Sequence, residues 1–324
     1  MMFKSVLLGI LAVSAASLSA DAATSSRTAA AASPVPLMWK VSDADNDLYL
    51  LGSFHMLKPG DYPLSADVDA AFDDAEALVF ELSPQELQSP ELGQAMGMAA
   101  LRTDRTPLNS ELPDATIAKL DAWLAANDKA LQKMGMPAQA FQMFEPWFVG
   151  LTISLIEMDK QGLDPKIGLD MHFIGRAEKM SKPTMGLEKG SEQIAVFDGM
   201  SKAEQLQFLD ESLSEADNAK VEIEKLHTAW RRGDAAGLLD GMAGDMRREY
   251  PQLYRKINVA RNAAWVPKLQ RMLDDETTDD TLVVVGVLHL LGEDGVVEKL
   301  RAKGYKVERI CAACGPASTA RGKR

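Results

Sequence analysis

Two segments near opposite ends of the chain read almost alike. Leu50-Leu51-Gly52-Ser53-Phe54-His55-Met56-Leu57 and Val284-Val285-Gly286-Val287-Leu288-His289-Leu290-Leu291 each run as an apolar strand, then Gly-x-x-His, then an apolar pair. Each leads into a helical pattern and a further strand. Glycine permits a sharp exit from a strand end, and an imidazole three positions later is then held at the carboxyl edge of the sheet. Chain reversals leave a crevice at that edge in α/β sheets, and ligands collect there. If the two imidazoles are to share one crevice, their strands must be neighbours in one sheet, whatever lies between them in sequence.

The remaining pattern is consistent with that requirement. Leu37 to Val41 and Leu48 to Leu51 flank the polar run Ser42-Asp43-Ala44-Asp45-Asn46-Asp47, which predicts a hairpin. A helix is expected from Ser65 as N-cap, with Val68, Ala71, Phe72 and Ala75 on one face, leading into a buried strand from Leu78 to Leu82. From Pro84 to Ile167 the pattern is helical, with breaks near Pro107, Pro113, Pro137 and Pro146. A short strand is expected from Pro183 to Leu187, and amphipathic helices interrupted near Gly233 and Pro251 fill residues 191–273. Thr281 to Val285 reads as a strand, Gly295 to Lys303 as a helix and Lys306 to Ile310 as a closing strand. The expected fold is α/β, with α+β as the alternative. A central sheet built from N- and C-terminal strands is flanked by helices and carries a large, mainly helical insertion. Residues 37–310 are expected to form a single domain, followed by a C-terminal tail over 311–324.

The first 22 residues have the form of a secretory signal peptide: Lys4, the apolar run Val6 to Val13, then small residues through Ala22. Cleavage after Ala20 and cleavage after Ala22 both fit. Residues 23–36, rich in Ala, Ser, Thr and Pro, read as a flexible leader. No later segment has the run of about 20 apolar residues that an integral membrane helix needs. The expected location is therefore periplasmic or secreted. A net charge of −12 gives no basic footprint, which excludes nucleic acid and anionic membrane as expected partners. Cys311 and Cys314 form a Cys-x-x-Cys pair in a small-residue tail, read as a local disulfide or two idle thiols. No second pair of ligands for a structural zinc accompanies them. The oligomeric state is not legible.

Glu81 joins the two histidines by position, because it is an ionisable residue near the end of an apolar strand. A buried carboxylate without a partner costs several kcal/mol, on the order of 3 or more, so it should be paired or metal-bound. His55, Glu81 and His289 form a ligand set suited to Zn²⁺, Mn²⁺ or Co²⁺, with positions left for water. The competing reading is that both histidines cap strand ends through backbone carbonyls. Glu188 follows a short strand and reads either as a further carboxylate at the crevice or as a helix N-terminal charge. Arg261, with Trp265 one turn later on the same helix face, can hold a substrate carboxylate or a developing oxyanion, or form an ion pair. Asp170 reads as the cap of a helix beginning near Met171. His172 is expected in core or surface, and His227, among Glu222, Glu224 and Lys225, in solvent. Ser53 lacks the Gly-x-Ser-x-Gly setting of a nucleophile elbow.

Taken in order, the motifs resemble a known family. Trp39-Lys40-Val41, the hairpin, Leu51-Gly52-Ser53-Phe54-His55 and Ala77-Leu78-Val79-Phe80-Glu81-Leu82 look like the opening of a TraB/GumN protein, a bacterial relative of the Tiki metalloproteases. Gly168-Leu169-Asp170-Met171-His172-Phe173, Gly186-Leu187-Glu188 with Glu192-Gln193, Ala260-Arg261-Asn262 with Trp265, and Val285-Gly286-Val287-Leu288-His289-Leu290-Leu291-Gly292 resemble its later blocks. The resemblance covers about residues 37–310. It implies a fold related to erythromycin esterases and haem-associated ChaN-like proteins, with His55, Glu81 and His289 as a hydrolytic centre. The expectation is an exported metal-assisted hydrolase, a peptidase acting on a peptide or protein with a divalent metal ion. The alternatives are a non-catalytic metal-, haem- or peptide-binding protein on the same fold, and a small-ester hydrolase.

Overall fold

Uninterrupted apolar runs decide where the strands lie. Thr281–Gly286 reads TLVVVG and is buried at every position, as expected of a parallel strand covered on both faces. In the computed structural model, which describes residues 32–274 and 279–314, it lies inside a six-stranded sheet. The strands are Met38–Ser42 (β1), Asp47–Ser53 (β2), Ala77–Phe80 (β3), Thr184–Gly186 (β4), Thr281–Gly286 (β5) and Lys306–Ile310 (β6), in the order β4-β3-β5-β2-β1-β6. β2, β5, β3 and β4 run parallel to one another, while β1 is antiparallel to both β2 and β6. The two strands that carry Gly-x-x-His are thus direct neighbours. The α/β sheet is built from the two chain ends, and the middle of the chain adds only the short edge strand β4. The signal peptide, its cleavage positions, most of the leader and most of the tail lie outside the described residues.

The two Gly-x-x-His exits are similar in sequence but are not level in the sheet. Gly52 pairs with Val285 and Ser53 with Gly286, so the two copies are offset by one residue. Gly52 stays inside β2, whereas Gly286 ends β5 and the chain enters a 3-10 turn over Val287–Leu290.

The principal helices are Ala66–Asp74 (α1), Pro90–Ala100 (α2), Asp114–Lys133 (α3), Pro146–Lys160 (α4), Leu169–Met180 (α5), Gly190–Asp198 (α6), Lys202–Ala216 (α7), Ala219–Arg231 (α8), Ala260–Asp274 (α9) and Val296–Ala302 (α10). A helix apolar on all sides must be enclosed, and α4 is such a helix. Its Trp147, Leu151 and Met158 join the core that covers the sheet. Its Val149, Ile153 and Ile156 join a second core with Leu120, Trp123, Phe141 and Leu209. This shared helix ties the helical insertion to the sheet.

His227, expected in solvent, is buried instead. The charged residues around it occupy the other faces of α8, while Leu226, His227 and Trp230 point inward. His227 Nε2 lies 2.7 Å from Asp61 Oδ2, the Lys58 amide donates to the same oxygen at 2.8 Å, and the Arg231 guanidinium donates to Oδ1. One helical turn away, Trp230 Nε1 donates to the Gly52 carbonyl at 3.0 Å. α8 therefore grips the chain on both sides of His55.

Burial opposes ionisation of Asp61, but His227, the Lys58 amide and Arg231 outweigh it and hold the carboxyl below its ordinary range. Asp61→Ala is expected to cost about 3–5 kcal/mol, because it leaves buried partners uncompensated. Chemical denaturation checks this. The depressed carboxyl contributes its stability at neutral pH and loses it as pH falls below about 3.9, so the difference between variant and parent should narrow in acid.

Candidate active site

Four adjacent parallel strands each deliver one polar residue just past their carboxyl ends. His55 follows β2, His289 follows β5, Glu81 follows β3 and Glu188 follows β4. β3 is shorter than its apolar run suggests, ending at Phe80, which leaves Glu81 outside the strand. The Glu188 amide still donates to the Glu81 carbonyl at 2.9 Å, holding the two glutamates side by side.

His55 is fixed by Asp170, whose Oδ2 lies 2.6 Å from His55 Nδ1 and also accepts from the Ser53 hydroxyl. α5 begins at Leu169 with Gly168 as its N-cap. Asp170 therefore sits in the first turn rather than at the cap, and its carboxylate is directed across to the end of β2. This corrects the capping role expected for Asp170. The approach requires glycine at 168, since a Cβ there would stand 1.9 Å from the His55 carbonyl oxygen. His55 Nε2 is buried with no hydrogen-bond partner and lies 3.8 Å from Glu81 Oε1.

His289 is arranged in a parallel way. Asn262 Nδ2 donates to the Asp294 carbonyl at 2.9 Å, which turns Asn262 Oδ1 toward His289 Nδ1 at 2.6 Å. Nδ1 must therefore carry the proton. The lone pair on Nε2 accepts from Arg261 Nη1 at 3.0 Å, and Nε2 lies 3.9 Å from the same Glu81 Oε1. Both imidazoles thus tie Nδ1 to an oxygen and turn Nε2 toward one carboxylate oxygen.

Arg261 fills the space between the groups. Its Nη2 donates to Glu81 Oε2 and to Glu188 Oε1, each at 2.5 Å, and its Nε donates to Glu188 at 3.0 and 3.1 Å. Nη1 also donates to the Ile257 carbonyl at 3.3 Å, within the π-helical turn Arg255–Val259 that leads into α9. Trp265, one turn along α9, stacks beneath the guanidinium at 5.0 Å and donates Nε1 to Glu188 at 3.1 Å. Gln193 donates to Glu188 at 2.7 Å and to Glu81 at 3.3 Å, and the Gly286 amide donates to Glu81 Oε1 at 2.7 Å.

The surroundings drive the two imidazoles in opposite directions. Burial pulls His55 down, but the Asp170 carboxylate and then Glu81 outweigh it and carry its pKa up to about 9. Burial, the Arg261 cation and His55 hold His289 well below its ordinary 6.5. Burial also pushes the Glu81 carboxyl up, against the pull of Arg261 and His55. His289 is only 1% exposed and closed off behind Arg261. His55, by contrast, lines a small pocket open to solvent with Glu81, Asp170 and Gln193.

In donor chemistry, the groups match a divalent ion. Two imidazole nitrogens, each with its other nitrogen held by an oxygen, face a shared carboxylate oxygen, as outer hydrogen bonds orient metal ligands. The arrangement itself is occupied by a guanidinium. Among the described residues no three imidazole, carboxylate or thiol groups are grouped so as to hold an ion, and Arg261 takes the lone pair of His289. His55 and Glu81 are the donors open to an ion, and His289 could join only if Nη1 withdrew.

The model of the TraB/PrgY/gumN family matches residues 37–309. This chain belongs to that family. It is also similar to a protein named "Uncharacterized protein YbaP" in Escherichia coli (strain K12), 26% identical over 269 residues, covering 78% of this chain and 87% of the relative. The protein of the same name in Shigella flexneri matches to the same extent. No solved structure matches the chain significantly.

In this family member, all five residues singled out from sequence, His55, Glu81, Glu188, Arg261 and His289, lie in one connected cluster. Glu188 is paired with Arg261 rather than serving as a helix charge. His172 is half-buried on α5 and stacks on Tyr62 at 4.5 Å, apart from the cluster. Ser53, fully buried, is engaged by Asp170. Sequence reasoning missed the positioning roles of Asp170, Asn262 and Gln193. Each sits in a motif block beside a residue already singled out, which was the available signal.

Two outcomes are expected. Arg261→Leu strands two buried carboxylates and should cost about 3–5 kcal/mol in chemical denaturation, with Arg261→Lys a poor rescue because it lacks the planar fork. Imidazole NMR should show His55 doubly protonated at pH 7, losing its proton near pH 9, and His289 neutral with hydrogen on Nδ1. His55 then contributes stability that is full below pH 6.5 and lost as pH rises through about 9. His289 contributes stability above 6.5 that is lost as pH falls.

Proposed function

We propose that the crevice is the centre of an exported, metal-assisted hydrolase that cleaves an amide bond in a peptide or protein. One observation carries this reading. Two imidazoles from separate ends of the chain present Nε2 to the same oxygen of Glu81, at 3.8 and 3.9 Å, with each Nδ1 tied to an oxygen. His55 and Glu81 would hold Mn²⁺, Co²⁺ or Zn²⁺, with His289 as a further ligand once Arg261 Nη1 leaves it. When bound, such an ion supplies hydroxide near neutral pH and polarises a carbonyl.

The chain's own residues have distinct tasks in this reading. Asp170 and Asn262 accept the Nδ1 protons, which fixes both tautomers and points Nε2 at the reaction space. Arg261 keeps Glu81 and Glu188 compensated in an interior where two bare carboxylates could not coexist. The proton on His55 Nε2 must leave before that atom can bind an ion, so metal affinity should tighten as pH rises. Export is supported by the disulfide between Cys311 and Cys314, a bond that persists in oxidising compartments. No described helix is long and apolar enough to cross a membrane.

The test is to quantify metal in the purified protein and follow peptide cleavage by mass spectrometry with Mn²⁺ or Co²⁺ added. His55→Ala and His289→Ala should each abolish cleavage while circular dichroism shows the fold retained, and Asp170→Asn should reduce metal affinity or rate about 10–100-fold. Unaltered cleavage in both histidine variants would remove their central roles. A second reading, binding of metal, haem or a peptide without turnover, is favoured by the closure of His289 behind Arg261. A haem Soret shift that disappears in His55→Ala, with no peptide cleaved, would select it. A chromogenic ester panel separates small-ester hydrolysis from both.

A further inference from the structure

The pocket beside His55 has two unlike walls. His55, Glu81, Asp170 and Gln193 make the polar one, and Phe80, Leu82, Leu87 and Ile174 make the other. The apolar wall is assembled with little freedom to move. Ile174 stands one turn after Asp170 on α5, so the helix that fixes His55 also presents an aliphatic surface beside it. Phe80 and Leu82 flank Glu81 in sequence, and Leu87 ends the short helix Pro84–Leu87, whose N-cap Ser83 accepts the Glu86 amide. The four side chains are between 1% and 8% exposed. They nevertheless border open space, which is where an apolar ligand group gains most by leaving water. The pocket is small, enclosing about 30 Å³ and open to solvent on one side, which suits the end of a single side chain entering from the crevice.

We infer that this wall is a specificity subsite that takes an aliphatic side chain of the substrate, adjacent to the bond presented to His55 and Glu81. The inference rests on the peptide-hydrolase reading and supplies its substrate class: peptides with an aliphatic residue beside the cleaved bond, and not with a charged one. A charged side chain there would have to shed its water against Leu82, Leu87 and Ile174 without a partner on that wall. An aliphatic one replaces water by packed carbon. Discrimination in such pockets runs from about tenfold to about two-hundredfold.

The test uses acetylated pentapeptide amides with one varied central residue, Gly, Leu, Asp or Lys, and the full chain. Binding is read by anisotropy of fluorescein-labelled peptides without added metal, and cleavage by mass spectrometry with Mn²⁺ present. The Leu peptide should bind and be cleaved at least about tenfold better than the Gly peptide, and the Asp and Lys peptides worst. Leu87→Asp should reverse the Leu-over-Lys order, and Ile174→Phe should weaken the Leu peptide while sparing the Gly peptide. Circular dichroism checks that both variants are folded, and either one suffices if the other is not. Cleavage with no preference for Leu, or a preference unchanged in the folded variants, overturns the subsite and leaves the hydrolase reading standing. Leu-selective binding lost in the variants, with no peptide cleaved, upholds the subsite and overturns hydrolysis. Neither binding nor cleavage of any peptide overturns both.

Discussion

A guanidinium enclosed with two carboxylates is the interaction on which the rest of this crevice depends. Glu81 and Glu188 emerge from neighbouring strands, and their backbones are hydrogen-bonded, so sheet geometry alone forces two acids together away from water. Left to themselves, they would repel and resist burial. Arg261 resolves the conflict because its planar fork has enough donors to reach both acids, and its remaining nitrogen reaches His289. Its supports are likewise shared: Trp265 lies under the cation and also donates to Glu188. The same contacts that stabilise the interior leave His55 as the imidazole that lines the pocket. Burial and access to the pocket are therefore divided between two imidazoles that look equivalent in sequence.

Much of this was legible before any coordinates. The apolar runs and the polar turn between the first two placed all six strands, and the fully buried β5 is the clearest because a strand covered on both faces has to be a continuous apolar run, as TLVVVG is. Gly-x-x-His placed both imidazoles at one sheet edge, and the charge of Glu81 inside an apolar run pointed to a partner. The contacts that close the site were not legible. Asp170 meets His55 across more than a hundred residues, and the helix start two residues earlier than Met171 is what frees its carboxylate. The unequal depth of the two imidazoles accompanies the closure of Arg261 over His289, a contact that no local pattern records. His227 was misplaced because its sequence neighbours are charged, whereas burial on a helix is decided three and four residues away, at Trp230 and Arg231.

The helical insertion is not a separate body resting on the sheet. α4 contributes opposite faces to the two cores, and α8 reaches from the helical layer to both sides of the His55 segment through Trp230 and Asp61. A large insertion thus supplies part of the clamp that holds a residue encoded near the start of the domain.

The backbone contact at Gly168 has a consequence of its own. The chain passes so close to His55 there that the absent side chain acts as a keyhole, open only to hydrogen. A single added methyl group would displace the His55 backbone, and its imidazole with it, without altering any side chain of the cluster. Biochemists could thereby obtain a twin of the protein with every group of the crevice present but displaced, against which the composition of the crevice can be separated from its alignment.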